Sequence, residues 1–505
     1  MALNTVLSWV MRKRVHQIEL FKKYPQEVQK ELLDKLLQQA KSTEWGKKYK
    51  FQDIKSIADF KKAIPLQDYE GFKHDILRMK EGEQNILWPT EVKWFAKSSG
   101  TTSDKSKYIP VSRESLEDCH YKGGKDLISM YYNCNTKANL YSGMSLVVGG
   151  SSTPIALGED SYSGDLSAII IKNLPFWVEY RRVPDSSVAL MDKWEEKIER
   201  MATSTMNEDV TNITGVPSWT LLILKRILEL KGANNIHEVW PNLELFMHGG
   251  VNFAPYKDQY EQLMPNGINY FQSYNASEGF FGIQDSLHTD DMLLMLDYGI
   301  FYEFIPMSQL DEPEPQSLTL AEVELHTNYA IAITTNGGLW RYLIGDTIMF
   351  TNLSPHRIKV TGRTKHFINA FGEEVIIDNA EQALMHACQI TGASISDYTA
   401  APIYMSNHGK GAHQWIIEFE NKPNSLDVFT IELDKKLQEI NSDYEAKRTN
   451  SLSLKLPEVI SAPKGTFYQW LKNKNKLGGQ HKVPRLANDR KIVEEILGLL
   501  PITVV

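Results

Sequence analysis

Stretches of helical period and short apolar runs take turns along the first half of this chain, and that alternation limits the fold more than any other feature. Residues 26–40 set Val28, Leu32, Leu33, Leu36, Leu37 and Ala40 at helical spacing, with charges between them. Leu190, Trp194, Ile198, Met201 and Ala202 repeat the pattern, and Thr220 to Leu230 is apolar on most sides, as a buried helix is. Between these lie runs that read as strands: Ser145–Val148, Ala168–Ile171, Leu243–Met247 and Ile268–Gln272. Strands separated by helices in this way build an α/β domain on largely parallel sheets. From Met292 to Thr335 the helical spacing stops. Phe301–Met307, Ala321–His326 and Tyr329–Thr335 read as strands of a β-rich subdomain, with Asp311–Pro315 as an exposed turn. After Gly362, strands at Ala400–Met405 and Trp415–Glu420 and a helix from Thr430 to Asn441 predict a small α+β domain. A single core stops growing at about 250–300 residues, so the expected division is a large domain over 1–362 and a small one over 363–505.

Composition narrows the function. The 505 residues are 42% hydrophobic and 23% charged, with a formal net charge of −8, an ordinary globular balance. Coating nucleic acid needs clustered Lys and Arg, which an acidic chain does not offer. A small anion needs only a local positive pocket. The three cysteines, Cys119, Cys134 and Cys388, form no C-x-x-C pair. That argues against a zinc site or a disulfide framework and fits a reducing compartment. The apolar patches of Met1 to Met11 precede Arg12, Lys13 and Arg14, the reverse of a secretory signal. No run approaches the ~18–20 apolar residues of a membrane span. The expectation is a soluble cytoplasmic protein that acts on small molecules, with no nucleic-acid partner.

Five segments carry residues suited to chemistry. The run Lys97-Ser98-Ser99-Gly100-Thr101-Thr102-Ser103-Asp104-Lys105-Ser106-Lys107 packs hydroxyls, a glycine and lysines as a phosphate cradle does. No Walker A spacing runs through it. Tyr274-Asn275-Ala276-Ser277-Glu278-Gly279 sets a carboxylate beside hydroxyls at a strand end, a donor set suited to Mg²⁺ on phosphates. A hydrolase elbow would need glycine two residues before Ser277, where Asn275 stands. Trp340-Arg341-Tyr342-Leu343-Ile344-Gly345-Asp346 offers an acid placed to accept from ribose hydroxyls. Gly362-Arg363-Thr364-Lys365 marks the domain boundary, and Gly478-Gly479-Gln480-His481-Lys482-Val483-Pro484-Arg485 delivers cations after two glycines. Each alone is equally the composition of a solvated turn.

Taken in order, these segments resemble the GH3 family of acyl acid-amido synthetases, within the wider adenylate-forming superfamily. The likeness runs from about Lys97 to Arg485 and includes Val239-Trp240-Pro241-Asn242 and the strand Phe301–Pro306. It implies a large adenylation domain and a small mobile C-terminal lid. Ser98, Ser99, Gly100, Thr101 and Thr102 would hold the ATP phosphates. Tyr274 and Ser277 would lie beside the nucleotide, with Glu278 on Mg²⁺. Phe301 would flank the adenine, and Asp346 would bind ribose. Lys365 and Lys482 would bring positive charge to the reacting groups. The sequence departs from the family pattern at Asp104, where the family has glycine. It departs at Leu343, where the family has arginine and Arg341 stands close by, and at Asn275 and Ala276.

The resemblance implies an enzyme that activates a carboxylic acid as its acyl-adenylate and transfers the acyl group to an amine, in this family usually an amino acid. An acyl-CoA synthetase would share the first step and use a thiol acceptor. A non-catalytic nucleotide- or acyl-binding relative would bind ATP without exchanging pyrophosphate. The acyl pocket is expected between about His120 and Gly250, where Tyr131, Tyr132, Trp177 and Trp219 supply aromatic surface or plain core.

Overall fold

The computed structural model describes residues 14–98, 107–149, 155–157, 160–174, 179–191, 193–250, 253–310, 312–364, 367–368, 373, 375–403, 411–441, 444–445, 448, 454–477, 482–487 and 489–500. The chain divides into two compact units, Met1–Val251 with Gln262–Val360, and Asn252–Glu261 with Thr361–Val505. In the first, β1 (Trp94–Ser98) and β2 (Lys107–Val111) pair antiparallel in a small sheet. An eleven-stranded sheet holds β3 (Met144–Val148), β4 (Val210–Gly215), β5 (Leu245–Gly249), β6 (Asn269–Ala276), β7 (Gly279–Ile283), β8 (Met292–Leu294), β9 (Ile300–Pro306), β10 (Asn328–Thr335), β11 (Tyr342–Leu353) and β12 (His356–Arg363). Its order is β9-β10-β11-β12-β8-β7-β6-β5-β4-β3, closed by the short strand Arg182–Val183.

The sheet has two characters. Arg182–Val183, β3, β4, β5 and β6 are parallel, and their apolar side chains (Leu146, Ile213, Phe246, Phe271) are buried. From β6 onward the resolved pairings are antiparallel. Helices alternate with the parallel strands along the chain, as expected. The helix Pro217–Lys231 opens with proline in its first turn and ends at Gly232 in the left-handed region (φ 61°), the residues that suit each end.

Two expected strands are absent. Ala168–Ile171 lies in the helix Leu166–Lys172. Leu166, Ala168, Ile169 and Ile171 are all buried, and a short run buried on most sides carries no period that separates helix from strand. Ala321–His326 forms a turn and one isolated bridge from Leu325 to Phe350. The Glu322 carboxylate accepts from the Thr319 amide and hydroxyl, both at 2.8 Å, a local bond that competes with a sheet ladder.

The second unit builds β13 (Ser394–Ile403), β14 (Ala412–Asn421) and β15 (Glu458–Ala462) into a mixed sheet. The helices Ile377–Thr391 and Leu426–Ile440 share its core, with Leu384, Ala387, Phe429 and Leu433 gathered around Trp415. Among the described residues no helix is long and apolar enough to cross a membrane.

Arg341 has a structural task. It takes a left-handed backbone (φ 50°) immediately before β11. Its guanidinium meets the buried Glu303 of β9 at 2.9–3.2 Å and donates to the carbonyls of Lys61 at 2.8 Å and Ile64 at 2.5 Å. Ser317 completes the cluster, donating to Glu303 at 2.6 Å. Arg341 therefore cannot stand in for the arginine missing at Leu343. Leu343 itself packs with Ile305, Ala330 and Ala332. Removing one partner of a buried pair leaves the other charge uncompensated, so Arg341→Met should cost about 3–5 kcal/mol in urea unfolding. The double variant Arg341→Met/Glu303→Met should recover most of that loss. Equal destabilisation of the single and double variants would refute the pairing as its cause.

Candidate active site

Open α/β sheets bind ligands beyond the carboxyl ends of their parallel strands, at a switch in topology. Here the switch is β6, the last parallel strand. It runs through Tyr274 and Asn275 to Ala276, which pairs with Gly279, so Ser277 and Glu278 form the tip of a tight hairpin. Space at Gly279 is tight: a Cβ there would stand 2.5 Å from Ile300 Cδ1, and that side chain would have to shift. Phe280 pairs with Asn275 and Gly282 with Tyr274, which leaves Phe281 as a bulge with its ring against Tyr274 (centroids 4.8 Å apart).

A second bulge lies on β11. Ala332 pairs with Leu343 and Ala330 with Thr347, so Ile344, Gly345 and Asp346 together face the single residue Ile331. Gly345 makes this possible with φ 83°, a conformation costly for residues with a Cβ. The Tyr274 hydroxyl donates to Asp346 Oδ2 at 2.6 Å, the length of a charge-assisted bond, worth roughly 1.5–3 kcal/mol. Strands β7, β8 and β12 lie between β6 and β11. Four steps across a flat sheet cover about 19 Å, more than a tyrosine and an aspartate span together, so the sheet curls to close this contact.

The other expected residues fall as follows. Ser277 is buried, and its Oγ has no partner among the described residues. Glu278 is partly exposed beside it. Ser98 ends β1 opposite Lys107. The connection between them, including Ser99, Gly100, Thr101, Thr102 and Asp104, lies outside the described residues, as do Lys365 and Trp177. Lys482 is exposed in the second unit. Phe301 is 2% exposed and meets Phe60 edge to face at 5.9 Å. Both faces of β9 are covered, so this ring fills core and presents almost nothing to an adenine. Tyr131 is likewise core, fully buried, with its hydroxyl accepting from Asn135 and Asn269. Tyr132 stacks on Tyr141, and Trp219 is partly buried.

Sequence reasoning missed His120 as a neighbour of the hairpin. A π-helical stretch, Ser115–His120, runs into the helix Tyr121–Cys134 and ends with the His120 ring against Asn275, Nδ1 to Oδ1 at 3.1 Å. π-turns recur at functional sites. Burial pushes the His120 imidazole down to about 4, against the smaller upward pull of Asn275. On β5, burial alone pushes His248 down to about 3. With 155 residues between His120 and Asn275, no local pattern announces the pair.

The chain shares its fold with enzymes that form acyl-adenylates. A 2-hydroxyisobutyryl-CoA ligase solved with an acyl-AMP superposes with a TM-score of 0.59 at 12% identity, over 93% of this chain and 90% of that one. The GH3.15 acyl acid amido synthetase superposes with a TM-score of 0.78 at 16% identity, covering 96% and 95%. The GH3 family N-terminal domain matches residues 14–268, the central domain 293–363 and the C-terminal domain 378–491. The chain belongs to the GH3 family. It is 23% identical to the indole-3-acetic acid-amido synthetase GH3.4 of Arabidopsis thaliana, over 94% of this chain and 92% of that protein. To the jasmonoyl–L-amino acid synthetase JAR4 of Nicotiana attenuata it is also 23% identical, over 93% and 92%.

The histidines give the protein an acid sensitivity with a defined window. In the unfolded chain an imidazole takes its proton near 6.5, while the folded protein holds His120 neutral down to about 4. Below about 6.5 the unfolded state binds the extra proton, so stability falls with pH between those values. His120→Asn keeps an amide donor near Asn275 and removes that titration. Its urea midpoint should fall below wild type at pH 7.5, with the gap narrowing by pH 5. Parallel loss in the two proteins would exclude His120 as a source of the acid sensitivity.

Proposed function

We propose that this protein is an ATP-dependent acyl acid-amido synthetase. It joins a small carboxylic acid to an amine, with an amino acid as the expected acceptor, through an acyl-adenylate. The observation that carries the reading is the Tyr274–Asp346 contact at the sheet's switch point. Two motifs 72 residues apart in sequence meet there at 2.6 Å, in a chain whose relatives are named for acid-amido synthesis.

The residues fit a nucleotide. Ser277 Oγ is a buried hydroxyl without a partner among the described residues, able to donate to a phosphate or ribose oxygen. Asp346 accepts from the ribose hydroxyls, and Tyr274 both holds Asp346 and flanks the base. Phe301 is left out of the contact set because its ring is enclosed. Ser98, Ser99, Gly100, Thr101 and Thr102 supply phosphate donors from the connection between β1 and β2. Glu278 fits Mg²⁺. The described residues hold no cluster of three or more His, Cys, Asp or Glu, and Mg²⁺ needs none, because it keeps several waters and takes most other ligands from the phosphates. Bound there, the ion would neutralise phosphate charge.

A free carboxylate is a poor acyl donor because oxide is a poor leaving group. The acid oxygen attacks the α-phosphorus of ATP, the P–O bond to pyrophosphate breaks, and the acyl carbon now carries AMP as a good leaving group. The protein's task is to hold the partners in line and stabilise spread charge on phosphorus. We assign Lys482 and Lys365 to that charge. The amine then attacks the acyl carbonyl, AMP leaves with the electron pair, and the nitrogen sheds a proton. A lysine needed for the first step and in the way of the second gives a reason for a lid of about residues 363–505 that moves between steps.

ATP–pyrophosphate exchange tests the reading, run with hexanoate, benzoate and indole-3-acetate, each with and without amino acids. Exchange that depends on an acid, with amide formed when an amino acid is added, is expected. Thioester formed only with coenzyme A would move the assignment to a CoA ligase, whose fold this chain shares. ATP binding with no exchange for any acid would favour a nucleotide-binding relative. In the active enzyme, Lys482→Ala should lower exchange by roughly 10²–10³. Wild-type exchange in that variant would remove Lys482 from the mechanism.

A further inference from the structure

Three residues beyond Lys482, the side chain of Arg485 helps clamp the chain to the second unit. Arg485 pairs with the Asp397 carboxylate of β13 through Nη1, which also donates to the Tyr398 carbonyl at 3.1 Å. Its Nη2 donates to the Tyr256 hydroxyl at 3.2 Å, and its guanidinium lies 4.7 Å from the centre of the Tyr398 ring. The backbone around it is stitched to the same strand. The Ala400 amide donates to the Arg485 carbonyl at 2.8 Å, the Ala487 amide to the Ala400 carbonyl at 3.1 Å, and the Thr399 hydroxyl to the Pro484 carbonyl at 2.7 Å. Val483 and Leu486 are buried, while Lys482 is exposed. The arrangement is an exposed cationic residue next to a fixed base.

Tyr256 gives this clamp an unexpected reach along the chain. It belongs to Asn252–Glu261, which lies in sequence between β5 and β6 of the first unit yet packs with the second. The strands on either side of that segment end at the candidate site: β5 at Gly249, and β6 in the Tyr274 hairpin. One guanidinium thus holds both the base of the Lys482 loop and the excursion between two site-bearing strands.

We propose that Arg485 is a positioning residue for adenylation. Its guanidinium limits where the Lys482 ammonium can reach by adding Asp397, the Tyr398 carbonyl and Tyr256 to the main-chain bonds that seat Pro484 to Ala487 on β13. The proposal rests on the reading of Lys482 as the lysine that meets the phosphates. Three extended residues span at most about 10 Å, so with Arg485 held, Lys482 sweeps a small volume. Loosening the clamp enlarges that volume and lowers the fraction of time the ammonium is in place. A misplacement of about 1 Å at a reacting group costs up to roughly 10²-fold in rate.

A double-mutant cycle separates positioning from general support of the fold. Lys482→Ala, Arg485→Lys and their combination are compared by pyrophosphate exchange with hexanoate, benzoate and indole-3-acetate, with Mg·ATP affinity as a second readout. Arg485→Lys keeps the charge and loses the two-pronged grip. Tyr256→Phe removes one hydroxyl only and serves if the lysine variant fails to fold. Positioning predicts a roughly 10- to 10²-fold loss for Arg485→Lys, a smaller loss for Tyr256→Phe, and no further loss from either once Lys482 is alanine. Losses that multiply in the double variants would overturn the proposal while leaving Lys482 its role. Wild-type values in Lys482→Ala alone would overturn the reading of Lys482 and the proposal with it.

Discussion

The hydroxyl of Tyr274 and the carboxylate of Asp346 hold together two strands that the sheet order keeps four steps apart. Nothing in a flat sheet brings them within reach, so the contact depends on curvature, and curvature depends on the bulges at Phe281 and Gly345. Both bulges sit within one residue, along or across the ladder, of a side chain the site uses. In the proposed reading, the parallel half of the sheet borders the nucleotide, and the antiparallel half folds back to bring up Asp346, the acid assigned to the ribose. Either half alone would lack one side of that arrangement.

Such a fold-back must be held by something stiffer than a loop, and Arg341 with Glu303 does this for β9 and the start of β11. A guanidinium that bonds a carboxylate, two main-chain carbonyls and a hydroxyl is satisfied on every side. That is the condition under which a buried charge is tolerated. It also ties the helix Ile57–Ala63 to the strands through the Lys61 and Ile64 carbonyls. The polar residues of this unit thus divide their labour: Arg341 and Glu303 inside the core fix shape, while Tyr274 and Asp346 join the hairpin strand to the second bulge.

Much of this was legible in the sequence, for reasons that differ by residue. The helix Pro25–Ala40 carries a strong period, Pro217–Lys231 is an apolar run too long for an ordinary strand, and Tyr274 to Gly279 reads as a strand running into a turn because its composition changes there. Gly345-Asp346 could not be read as a bulge, since the same dipeptide makes plain turns and only the ladder with β10 reveals the extra residues. Arg341 stands close to Leu343 in the sequence, but it precedes β11 in a left-handed conformation and turns into the core instead. His120 and Tyr256 were invisible because their partners lie far away in sequence, and a reading along the chain has no access to such distances.

The departures from the family pattern take on a different weight once they are placed. Along β6 successive side chains point to opposite faces. Tyr274 turns toward Asp346, while Asn275 turns toward His120 and the helix that follows it. Asparagine in place of the family's alanine therefore adds a polar contact on the face away from the proposed ribose ligand. Leu343 pairs with Ala332 and packs among Ile305 and Ala330, a setting in which arginine would carry an unmatched charge into an apolar cluster. The two departures have partners of their own, one beside a π-turn and one in a small satellite core. What they alter is the surroundings of the site, where a family that shares one activation step would be free to vary the acid and the amine it joins.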